Sequence, residues 1–123
     1  MDRPLNAGEI LLVNALLANV SDGWRTLTPM EELNVRDMDD GGMGSFRFEP
    51  ANTDRHFGRQ LVEGWYLDAD EIPISVSINI DQLGELYELD SWKVDFAKRI
   101  SLPARISDVQ HGWMEPGIGP RPA

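Results

Sequence analysis

The chain is 123 residues long and 41% hydrophobic, enough for one domain that buries a core without metals or cross-links. It contains no cysteine, which excludes a disulfide framework, a thiol nucleophile and any thiolate metal site, and which fits a reducing cytoplasm. The formal net charge of −10 is concentrated between Glu31 and Asp95, where 16 acidic residues face five basic ones; such a field repels phosphate backbones and disfavours nucleic acid.

No charged-then-apolar leader opens the chain. The longest apolar run, Ile10 to Val13, is far too short to span a bilayer. The expectation is a soluble, cytoplasmic protein with no membrane partner.

The first element is a helix from Leu5 to Val20. Asn6 is placed to cap it, Glu9 occupies the capping-box position three residues on, and Leu5 can staple onto Ile10. Ile10, Val13, Leu16, Leu17 and Val20 form a broad apolar face, with Asn14 and Ala18 opposite, and Ser21-Asp22-Gly23 ends the element. A helix this apolar needs a cover, and a sheet is the natural one.

Thr28-Pro29-Met30-Glu31 opens a single further turn, because Leu33 to Arg36 already alternates as a strand does. Ser45 to Phe48 alternates too, so these two runs read as a hairpin whose tip is the acidic, glycine-rich Asp37 to Gly44. Pro50 to Arg55 is a polar link, and Phe57 to Leu67 a third strand region in which Gly58 and Gly64 mark bulges or close approaches.

The clearest pattern follows. Ile74, Val76, Ile78 and Ile80 alternate with Ser75, Ser77 and Asn79, the signature of a strand with one dry and one wet face. Asp81-Gln82-Leu83-Gly84 turns the chain, and Glu85 to Lys93 returns as its partner. A two-residue turn pairing Asp81 with Gly84 sets Ile78 against Tyr87 and Val76 against Leu89 on the dry face. The wet face then gathers Ser75 with Asp90, Ser77 with Glu88, Asn79 with Leu86, and Pro73 near Trp92. The alternative is a type I turn with a glycine bulge, which pairs Asp81 with Glu85 and slips the partner by one residue. That slip puts Glu88 and Asp90 into the core, at several kcal/mol for unpaired charge, on the order of the known cost of such burial. The first register is therefore expected.

The string RDMDDGGMGS invites a metal reading through Asp37, Asp39 and Asp40, since hard cations collect oxygen ligands. Counted from Asp37 as a calcium loop, it has Gly41 at the fifth place and Phe48 at the twelfth, where oxygen ligands belong. It lacks the lysine of a phosphate loop, and Met43 stands where a nucleophile elbow has serine. A plain hairpin tip is the reading adopted. His56 and His111 are the only histidines, and neither has a second ligand at metal spacing. No catalytic residue, metal site or cofactor is assigned.

The strings RDMDDGGMGS, FGRQLVEG and SVSINIDQLGELYELDSWKVDF resemble those of a family of small uncharacterised bacterial proteins, over residues 3 to 103. No established activity comes with that resemblance. In size, acidity and helix-plus-sheet pattern the chain is also similar to immunity proteins that neutralise bacterial toxins, which implies a protein partner.

The fold expected is α+β: an antiparallel sheet of about five strands, in sequence order or nearly so, with the N-terminal helix on one face. Residues 1–103 form the domain and 104–123 an extension whose last ten or so residues are a loose tail. The core is expected to hold Ile10, Val13, Leu17, Phe46, Phe48, Val62, Ile74, Val76, Ile78, Tyr87 and Leu89. The function expected is non-enzymatic capture of a basic protein partner, through Ser77, Glu88, Asp90 and Trp92 on the wet face, with Trp65 at its side, and through Asp37, Asp39 and Asp40 in the loop. The alternative is a small hydrolase or metal-dependent enzyme combining that loop with Glu88 or Asp90.

Overall fold

The structure is a computed structural model that describes residues 2–25, 28–49 and 54–112. The tail expected over the last ten or so residues lies outside the described residues, as does most of the Pro50 to Arg55 link.

Helix α1 spans Ala7–Leu17, and its start is built as its residues require. The Asn6 side chain accepts from the Glu9 N–H at 2.8 Å, and the Glu9 carboxylate accepts from the Asn6 N–H at 2.9 Å. Two helix-end donors are thereby satisfied at once. The face turned to the sheet carries Leu12, Val13, Ala15 and Leu16, all buried. Ile10 and Leu17, expected in the core, pack only against its margin and stay half-buried. Each fully buried leucine or valine here contributes about 2 kcal/mol.

The helix covers one face of an antiparallel sheet of seven strands among the described residues, ordered β1-β2-β3-β6-β5-β4-β7. The strands are β1 Arg3–Pro4, β2 Asn34–Asp37, β3 Phe46–Phe48, β4 Phe57–Leu67, β5 Pro73–Asp81, β6 Leu86–Lys93 and β7 Gln110–His111. Five of these match the strands read from the sequence. The count of about five is corrected by β1 and β7, two-residue edge pieces too short to show a period. A single 3-10 turn, Met30–Glu32, precedes β2, and another, Ile106–Asp108, precedes β7. Paired structure thus continues past Pro103, with His111 opposite Gly64 and Gln110 opposite Trp65. No helix among the described residues is long and apolar enough to cross a membrane.

Strand order also departs from the sequence order. β3 lies beside β6, with Phe46 opposite Leu89 and Arg47 opposite Glu88, while β4, β5 and β6 form a meander. The arrangement puts the rings of Phe46 and Phe48, packed edge to face 5.4 Å apart, into the core next to Leu89. Arg55 secures the crossing. Its guanidinium donates to Asp81 Oδ2 at 2.9 Å, to the Phe48 carbonyl at 3.0 Å and to the Leu86 carbonyl.

The β5–β6 hairpin corrects the expected register in an instructive way. Gly84 has φ 84°, its N–H bonds the Asp81 carbonyl at 3.0 Å, and the Asp81 N–H bonds the Glu85 carbonyl at 2.8 Å. This is the type I turn with a glycine bulge, reinforced by Asp81 Oδ1 accepting from the N–H groups of Leu83 and Glu85. Left alone, that turn slips β6 by one residue and buries its carboxylates. A second irregularity prevents it: Ile80 opposes Leu86 while Asn79 opposes Glu88, so Tyr87 is an extra residue on β6. Beyond the bulge Ile78 opposes Leu89, Ser77 opposes Asp90 and Ser75 opposes Trp92. The turn keeps its preferred geometry, the hydrophobic pattern keeps its faces, and the bulge reconciles them. Two assignments fail with the expected register. Leu86 is buried rather than outward. Tyr87 is half-exposed rather than core, with the guanidinium carbons of Arg47 and Arg55 5.0 and 5.4 Å from its ring centroid.

Candidate functional site

The face of the sheet away from α1 is laid out in rows by the strand pairing. One row runs Trp65, Ser75, Trp92 across β4, β5 and β6. The next, two residues along, runs Glu63, Ser77, Asp90. A third runs from Gln60 through Asn79, Glu88 and Arg47 to Arg36 on β2. Strands lie about 4.8 Å apart, so the members flanking Ser75 or Ser77 are separated by roughly 10 Å at the backbone. Small serines thus form a floor, with indoles on either side of one and carboxylates on either side of the other.

Charge on this face is answered unevenly. Glu88 accepts from Asn79 Nδ2 at 2.9 Å and sits 3.4 Å from Arg47 Nε, a half-exposed pair worth no more than about 1 kcal/mol. Glu63 and Asp90 have no ion-pair partner among the described residues. Loss of solvation against the sheet, then the like charge of Glu88 and, further off, Asp40, push the Asp90 carboxyl above the usual range, and the Ser45 hydroxyl only partly opposes this.

The loop between β2 and β3 joins the face through Ser45. Buried Ser45 accepts at Oγ from the Ser91 N–H at 2.9 Å, and its hydroxyl lies 3.4 Å from Asp90 Oδ1. Asp40 folds back to accept from the N–H groups of Met43 and Ser45 at 3.1 and 2.9 Å. Burial works against its charge, but these hydrogen bonds outweigh it and hold the carboxyl below its ordinary range. Asp40 is therefore the clasp of the loop as well as a neighbour of Asp90. Asp37 goes elsewhere: it pairs with Arg3 at 2.6 Å, while Arg3 also grips Glu9 at 2.7 Å, tying β1 to the helix start. Asp39 is exposed in the loop, away from these contacts. Of the residues singled out in the sequence, the sheet brings together Ser77, Glu88, Asp90 and Trp92; the loop adds Asp40, and Asp37 and Asp39 lie apart.

Two residues on the face were not singled out in the sequence as binding residues. Glu63 shares the Trp65 side of β4, two positions earlier, and the strand period alone places them together. Phe96 follows β6 with φ 63°, a left-handed backbone that is strained for a bulky side chain. It is 71% exposed, and its ring centroid lies 5.7 Å from that of Trp92. No local pattern announces such a conformation.

The best-satisfied charges in the fold lie on the opposite side of β6. Lys93 Nζ, buried, donates to Asp68 Oδ2 at 2.9 Å and Asp70 Oδ2 at 2.6 Å. Asp68 also accepts from the N–H groups of Ile100 and Ser101, both at 2.8 Å. Burial opposes its charge, but these donors prevail and hold the carboxyl well below the usual range. The network pins the 98–103 segment over the end of the sheet, where Leu102 packs against Gly8.

Two hollows flank the sheet. One of about 470 Å³ has Trp65, Leu102, Pro103 and Gln110 among its walls; another of about 540 Å³ includes Trp24, His56, Arg59, Asp81 and Gln82. The carboxylate in the second is already taken by Arg55 and the turn N–H groups. No group of three or more His, Asp or Glu side chains among the described residues is arranged to hold a metal ion.

Residues 2–103 match DUF6984, described as a domain of unknown function, and the chain belongs to that family. No curated protein and no solved structure matches the chain.

Proposed function

We propose that this DUF6984 protein is a non-enzymatic binding module whose open sheet face receives a basic protein partner in the cytoplasm. The observation that carries this reading is that, among the described residues, Glu63 and Asp90 have no ion-pair partner and no helix covers their face of the sheet. The acids buried in the fold, by contrast, are each paired: Glu9 with Arg3, Asp81 with Arg55 and Asp68 with Lys93. Carboxylates left without cations beside two part-buried tryptophans favour a cationic surface with some apolar character. The overall charge of −10 steers such a partner from a distance. Neutralisation of a basic toxin, the role implied by the likeness to immunity proteins, is one instance of this function.

The enzymatic alternative draws less support. It requires Asp37, Asp39 and Asp40 to act with Glu88 or Asp90, yet Asp37 is committed to Arg3 and Asp40 to the loop backbone.

The test is capture from the native cell by the wild-type chain and by a variant carrying Glu88→Gln, Asp90→Asn and Trp92→Ala, with folding of both checked by circular dichroism. A basic protein held by the wild type, lost from the variant and released as salt rises above about 0.3 M supports the reading. The same protein captured equally by both would refute the assignment of the face.

A further inference from the structure

Resting on that reading, we infer that the row of tryptophans and the row of carboxylates form one seat for an arginine side chain projecting from an extended segment of the partner. The two rows are consecutive on the same face, with Ser75 and Ser77 between their members as a floor of small residues on β5. A step of two residues along a strand is about 6.7 Å, comparable to the reach of a long basic side chain laid along it. An arginine resting above Ser75 and Ser77 places its apolar stem between Trp65 and Trp92 and its guanidinium between Glu63 and Asp90. The stem is covered by aromatic surface while the head stays hydrated at the rim. The guanidinium stacks on indole and forks to carboxylates, two contacts that a lysine ammonium makes less well.

Two further observations point the same way. Trp92 is backed by Phe96, an exposed ring held by a strained left-handed backbone, and such strain collects where a ligand is gripped. The arginines described on this face lie in the neighbouring row, where Arg47 is engaged with Glu88 and the Tyr87 ring, while Glu63 and Asp90 have no ion-pair partner among the described residues.

The test is an NMR titration of the ¹⁵N-labelled full chain with an acetylated Gly-Arg-Gly amide, its lysine counterpart and its uncharged citrulline isostere. The expected result is movement of the Trp65 and Trp92 indole N–H signals with the arginine peptide, about tenfold weaker binding for lysine, and no binding for citrulline. Glu63→Gln and Trp65→Leu, made separately, leave Glu88, Asp90 and Trp92 in place. Each is expected to weaken the arginine peptide by about tenfold with the amide spectrum otherwise retained. Equal binding of arginine and citrulline peptides, or unaltered binding by both variants, would overturn the seat. Loss of native partner capture in the Glu88, Asp90 and Trp92 variant alongside that result leaves the broader reading standing, so the two fail separately. Concentration-dependent self-association of the peptide-free chain, abolished by Glu63→Gln, would also overturn it by assigning the seat to a second copy.

Discussion

Strand β6 carries two charged regions that obey opposite rules. On its inner side Lys93 meets Asp68 and Asp70 in a buried network, with the N–H groups of Ile100 and Ser101 completing the Asp68 shell. On its outer side Asp90 has a half-buried serine across one strand, the carboxylate of Glu88 nearby and no ion-pair partner among the described residues. The first region holds the chain together and is satisfied within it. The second leaves charge uncompensated in the free chain, which is where a partner can add something.

The sharpest way to break the contrast is at the inner network. Asp68→Asn leaves the buried Lys93 charge with Asp70 as its remaining carboxylate and takes the charged acceptor from the Ile100 and Ser101 N–H groups, and is expected to cost about 2–3 kcal/mol by chemical denaturation. The pH dependence follows from the lowered Asp68 pKa. Its stabilisation is present above the ordinary aspartate value of about 3.9 and is lost as pH falls through the lower native value. The acid limb of the wild-type stability curve should flatten in the variant.

The hairpin turn gives a smaller effect. At Gly84, with φ 84° and open space where a side chain would go, Gly84→Ala meets only backbone strain and should cost about 1–2 kcal/mol. It should also leave the pairing of Ile78 with Leu89 intact, because the hydrophobic faces and the Tyr87 bulge hold the register independently of the turn. Amide exchange across β5 and β6 reads this directly.

The smallest effect has the opposite sign. Asp90 carries a raised pKa, so its ionisation weighs against the folded state as pH rises through that value. Asp90→Asn keeps an acceptor for Ser45 and removes the repulsion by Glu88. It should raise Tm by roughly 1–2 °C near pH 7, discounted for exposure, with the gain vanishing below about pH 4.

Much of this architecture was legible from local pattern. The capping box of Asn6 and Glu9, the alternation of Ile74, Val76 and Ile78, and the outward set of Ser77, Asp90 and Trp92 all follow from a period or a spacing. What escaped depended on competition between local rules. Turn chemistry and face patterning each specified a different register, and weighing one against the other allowed only one winner. The chain satisfies both by spending one residue, Tyr87, on a bulge. The pairing of β3 with β6 and the short β7 edge escaped for another reason: they are fixed by tertiary packing, with no sequence neighbour to announce them. The acidic loop read as a plain tip is partly that, yet Ser45 brings Asp40 within electrostatic reach of Asp90, a link that needs the β3–β6 pairing to exist.

The most direct measurement is the titration of the Asp90 side-chain carboxyl, followed by ¹³C NMR in the free chain and with the arginine peptide at saturation. A docked guanidinium favours the charged form, so the account predicts a raised pKa in the free chain that drops when the peptide binds. An Asp90 that titrates at its ordinary value and is unmoved by the peptide would contradict it.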